Sequence, residues 1–111
     1  MKLVNLHNPI KQLDGSYLLT EDSEKVSVGQ ALSALINQAK IKELPYSVIS
    51  DLYILGSKAL TSNEVDITSE LTLKYVEAIL QSAQTTVPVK YFLLKMLEES
   101  KLTMEVDDAD Q

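Results

Sequence analysis

Residues 27–42 read SVGQALSALINQAKIK, and they divide the chain into two unlike parts. Ser27 with Gln30 three positions later has the form of a capping box, in which the hydroxyl takes an orphan amide of the first helical turn while the glutamine reaches back to the cap residue. Val28, Ala31, Leu32, Leu35, Ile36 and Ala39 then recur on one face of an α-helix, so a first helix is expected over about residues 28–42. Before this point the apolar residues come in short runs broken by turn chemistry. After it they follow helical spacing almost to the end. The fold expected is therefore α+β, an N-terminal β-hairpin followed by a small bundle of about four helices.

In the N-terminal part, Leu3, Val4 and Leu6 precede Asn8-Pro9, and Asp14-Gly15 lies between Ile10, Leu13 and Tyr17-Leu18-Leu19. Asp-Gly between apolar flanks favours a two-residue hairpin turn of type I′, where both central residues take positive φ. The polar stretch 20–25 reads as an exposed loop leading into the helices, with Val26 a short third strand. In the C-terminal part, Pro45 fits the first turn of a second helix. Apolar residues from Val48 to Leu60 cover most of that helix's circumference, which predicts that it is the central and most buried one. Thr68 is a cap candidate for a third helix over about 69–84, with Glu70 placed well against the helix dipole. Pro88 opens a fourth over about 88–100. The organisation expected is one compact domain at 1–104, with the hairpin region at 1–26 and the helical region at 27–104, and a disordered acidic tail at 105–111.

The chain has 111 residues, 45% apolar and 23% charged, and no cysteine, so disulfide frameworks, thiolate metal sites and cysteine nucleophiles are excluded. No apolar run approaches membrane-spanning length and the start lacks a signal-peptide layout; no membrane association and a cytoplasmic location are expected. The net charge is −6, but it is unevenly placed. Residues 98–111 hold six acids against Lys101 alone, whereas 1–97 hold ten acids and nine lysines. All ten basic residues are lysine, so the arginine contacts typical of DNA readers are absent, and no nucleic-acid partner is expected.

Catalytic and cofactor chemistry finds little to work with. His7 is the single histidine and reads as an exposed turn residue beside Asn8-Pro9. Gly15, Gly29 and Gly56 are isolated, so no phosphate loop or dinucleotide fingerprint exists. Glu21, Asp22 and Glu24, and Glu64 with Asp66, are the nearest approach to acid–base pairs, but they lie among polar residues with no evident apolar pocket and read as solvated carboxylates. The 107–110 acids lack the glycine and terminal glutamate of a calcium loop. No catalytic residue, metal or cofactor is expected. Five tyrosines and no tryptophan leave Tyr as the large amphipathic side chain, a type enriched at protein interfaces. The candidate partner-binding residues are Tyr17 and Leu19 on the hairpin and Tyr75 and Tyr91 on helix faces. Gly56 inside the second helix costs about 1 kcal/mol relative to Ala, which predicts close approach of a neighbouring helix or strand there, with a dimer contact as the alternative.

Leu6 to Ile10 (LHNPI), Leu13-Asp14-Gly15, Tyr17-Leu18-Leu19, Val26-Ser27-Val28-Gly29 running into Ala31-Leu32, and Val65-Asp66-Ile67-Thr68-Ser69-Glu70 follow one another in an order that resembles small proteins encoded by phages and prophages. A subset with a similar start resembles phage tail-assembly chaperones. The resemblance implies a non-enzymatic accessory protein that binds a phage or host protein. Alternatives are a tail-assembly chaperone, an acidic inhibitor or DNA mimic of a host protein, and a small hydrolase or transferase. Homo-oligomerisation is left open.

Overall fold

The computed structural model describes residues 1–109, with side chains described through Thr103. It is an α+β fold whose elements run β1 (Lys2–Leu3), α1 (Val28–Gln38), α2 (Tyr46–Ala59), β2 (Val65–Asp66), α3 (Glu70–Ser82) and α4 (Val87–Ala109). The capping box is formed: the Gln30 amide donates to Ser27 Oγ at 3.1 Å and the Ser27 amide to Gln30 Oε1 at 2.9 Å. At α3 the cap is Ser69 rather than Thr68, its hydroxyl accepting from the Thr72 amide at 3.2 Å. Pro88 lies in the first turn of α4 as expected.

The hairpin at Asp14-Gly15 is present, and its turn differs from type I′. Gly15 has φ +88° but Asp14 is not at positive φ; Gly15 N donates to Gln12 O at 3.0 Å and Gln12 N to Ser16 O at 2.7 Å. That is a type I turn followed by a left-handed bulge residue, the usual three-residue hairpin loop. The stretch 20–25 is a second copy of the same turn. Ser23 N donates to Thr20 O, Thr20 N donates to Glu24 O, and Ser23 takes the left-handed place with φ 61°. The polar run expected to be a loop thus closes a second hairpin. The two turns lie eight residues apart, and so do Ile10, Leu18 and Val26, whose backbones form a closed ring: Leu18 N to Ile10 O, Ile10 N to Val26 O, Val26 N to Leu18 O, all 2.8–3.0 Å. Each extended segment pairs with the other two, leaving Ile10 fully buried at the centre.

β1 does not belong to this ring. It pairs antiparallel with β2, Lys2 opposite Asp66 and Leu3 opposite Val65, while the Met1 ammonium donates to Ile67 O at 2.7 Å. The start of the chain is thereby held in the connection between α2 and α3.

The helix at the centre is α1, which packs on α2, α3 and α4. The expectation that the second helix is the most buried does not hold. Val48, Leu52, Leu55 and Ala59 of α2 face the core, but Tyr46, Ile49, Tyr53, Ile54 and Leu60 are exposed. Apolar residues around a whole circumference here mean two apolar faces, one buried and one presented to solvent. Gly29, rather than Gly56, is the tight position: a Cβ on Gly29 would collide with the carbonyl oxygen of Ala59, whereas one on Gly56 would meet Ile36 Cγ2 at 3.7 Å, an ordinary contact.

Two helix ends also differ. α1 stops at Gln38 instead of about 42; beyond its C-cap Ala39 the next positions on its buried face are Lys42 and Glu43, which give a further turn nothing apolar to bury. α4 continues to Ala109 rather than ending near 100, as no Gly or Pro follows Pro88 to stop it. Helical backbone therefore covers 105–109 of the segment expected to be a disordered tail; Asp110 and Gln111 lie outside the described residues.

Candidate protein-binding groove

The early end of α1 shapes the surface beside it. Because the helix stops at Gln38, residues 39–44 cross to α2 as extended chain, and a groove of about 510 Å³ opens between this connector, the C-terminal half of α1 and the outer side of α3. Leu35, Ile41, Leu44, Tyr75 and Ile79 make it apolar, with Leu52 at its base. Gln38, Lys40, Lys42, Glu43, Ser82 and Gln84 form a polar rim. A second cleft of about 390 Å³, lined by Leu18, Val26, Ala34 and Val89 among others, shares Leu35, Gln38 and Gln84 with the first. Together they follow α1 from the β ring to the connector. The polar ends nearby are satisfied locally: the Lys90 ammonium donates to Gln81 O at 2.7 Å and to Ala83 O at 3.4 Å, closing the C-terminal end of α3.

Of the four side chains expected to bind a partner, Tyr75 lines this groove, half-buried in its wall. The other three lie elsewhere. The Tyr17 ring is half-buried, with the Lys25 ammonium 4.0 Å and the Lys11 ammonium 5.4 Å from its centroid. Leu19 is exposed on the β ring opposite Lys25. Tyr91 is exposed on α4, its ring edge-on to Phe92 at 5.2 Å. These side chains therefore do not form one surface.

His7 is exposed, its Nε2 3.3 Å from Thr61 O. Glu64 pairs with Lys2 at 3.5 Å, both well solvated. The Ser16 hydroxyl and amide hold the Asp14 carboxyl below its usual range, which is turn chemistry at an exposed site. Among the described residues, no three His, Asp or Glu side chains converge as metal ligands would, and no helix is long and apolar enough to cross a membrane.

No protein-family model, curated protein or solved structure matches this chain. Its function is read from its surface. What sequence reasoning missed is the outer face of α2, where Tyr46 is 84% and Tyr53 76% exposed. The signal was available in the seven-residue spacing of Tyr46, Tyr53 and Leu60, on the side of the helix away from Val48, Leu52 and Ala59.

Proposed function

We propose that this chain is a non-enzymatic accessory protein of a phage or prophage that acts by binding another protein through the groove beside α1. The observation carrying this reading is the groove itself: an apolar trough of about 510 Å³ with a polar rim, open along its length, suited to the apolar side chains of a helix or extended segment laid into it. The phage origin rests on the resemblance of the LHNPI, Leu13-Asp14-Gly15 and Val65 to Glu70 motifs. With Lys40, Lys42 and Glu43 all on the rim, no single sign of charge dominates, so binding is expected to depend on fit and apolar contact more than on electrostatic steering.

Affinity capture from lysate of phage-infected bacteria tests it, comparing the natural chain with Ala78→Glu, which sets a charge in the groove from an exposed position. One partner protein retained at both low and high ionic strength, and lost with A78E, is the expected result. Capture of nucleic acid or of a basic protein at low salt alone, or capture indifferent to A78E, overturns the proposal and favours the acidic mimic.

A further inference from the structure

We infer that the outward face of α2 is the seam of a symmetric dimer, its occupant a second copy of this chain. At 100° per residue, Tyr46, Ile49, Tyr53 and Leu60 fall within an arc of about 60°. Val48, Leu52, Leu55 and Ala59 occupy the opposite side and are buried in the core. The outward arc carries no charge: Ser50 and Ser57 are its only flanking polar residues on that side, and Asp51, the one acid of α2, is turned to α3, where it accepts from Thr72 Oγ1 at 2.9 Å. Exposed helix faces are normally charged; an uncharged face carrying two tyrosines with Ile and Leu resembles a buried interface core in its lack of charge and its aromatic content.

Three observations select a second copy as the occupant. The stripe is self-complementary when reversed. An antiparallel α2–α2 contact with its two-fold axis at Tyr53 sets Tyr46 of one copy against Leu60 of the other and Ile49 against Ser57, and the seven-residue spacing keeps the stripe in register along a helix pair. The available area meets what a dimer needs. Two tyrosines at 84% and 76% exposure, with Ile49 at 44% and Leu60 at 55%, offer roughly 500 Å² per copy, so a pair that covers the whole stripe buries about the ~1,000 Å² that marks specific association. The charge distribution also permits it. Among the described residues α4, which carries Glu98 and Glu99, does not pack on α2, so an α2 seam does not bring these carboxylates into the interface. This seam is separate from the groove beside α1, and it stands or falls independently of the partner-binding proposal.

Sedimentation of the full chain over a concentration series tests the seam. The natural chain is expected to show a monomer–dimer equilibrium with a micromolar dissociation constant. Tyr53→Glu, which sets two carboxylates across the axis, should weaken it by at least about 30-fold, the effect of losing a central hot-spot residue. Tyr91→Glu, at an exposed position on α4, should leave it unchanged. Because the chain has no cysteine, Tyr53→Cys gives an independent readout: mild oxidation should cross-link Y53C into dimers and leave L13C, 86% exposed at the hairpin tip, monomeric. A natural chain that stays monomeric at high concentration, a dimer that survives Y53E, or L13C cross-linking as readily as Y53C would overturn the inference.

Discussion

Gly29 and Gly56 look alike in sequence, each a lone glycine within a helical pattern, and the structure gives them opposite roles. The first turn of α1 presses against the end of α2 so closely that the Gly29 amide donates to Leu6 O at 2.8 Å while its Cα faces the Ala59 carbonyl. No side-chain atom fits there, and the colliding group is backbone that cannot rotate away. Gly29→Ala is therefore expected to cost about 1–3 kcal/mol or more, in the range of overpacked cores. Gly56→Ala meets only ordinary contacts with Ser33 and Ile36 and should be neutral or stabilising by up to about 1 kcal/mol, from helix propensity. Urea melts of both variants check the pair. A destabilised G56A alongside an unaffected G29A would reverse the assignment. Sequence reasoning chose Gly56 because propensity is visible from sequence, whereas the approach of a carbonyl from thirty residues away is not.

At the scale of elements, what was legible depended on whether a local signal had a single meaning. The capping box at Ser27 and Gln30 and Pro88 in the first turn of α4 each specify one geometry, and each is present, whereas Asp14-Gly15 marked the hairpin without specifying its turn type. The second hairpin was illegible because Ser23 occupies a left-handed position that serine seldom adopts. That difference is testable: Ser23→Gly relieves the strain without removing any side-chain bond of Ser23, and should stabilise the fold by about 0.5–1 kcal/mol. A thermal melt of S23G at or below that of the natural chain would mean that Ser23 is not strained. The α2 face was misread for a related reason, since an all-round apolar helix has two meanings, deep burial or a second covered face. The candidate site fared the same way. Tyr75 lies in the groove, but the groove owes its existence to the early end of α1, and helix ends are poorly specified by periodicity.

At the scale of the whole molecule, the fold is closed by bonds between its extremes. The buried Ser100 hydroxyl accepts from the Val4 amide at 3.1 Å and donates to Met96 O at 2.8 Å, and Asn5 Nδ2 donates to Glu99. Ser100→Ala would leave the Val4 amide buried without an acceptor, at a cost of about 1–3 kcal/mol. Faster hydrogen exchange at Val4, together with a lowered urea midpoint, is the expected pair of readings; an unchanged midpoint would show that the bond contributes nothing. None of this could be read from the sequence, where a serine on a long helix is unremarkable without knowledge of which strand passes beside it. The β ring is different in kind, since Ile10, Leu18 and Val26 find their partners within sixteen residues. During synthesis the ring is free to close early, while residues 1–5 must wait for β2 and then for the middle of α4 to leave the ribosome. Residues 1–5 are thus among the last to reach their places, and until β2 and α4 are available this segment depends on its small size and on Lys2, rather than on structure, to stay out of wrong pairings.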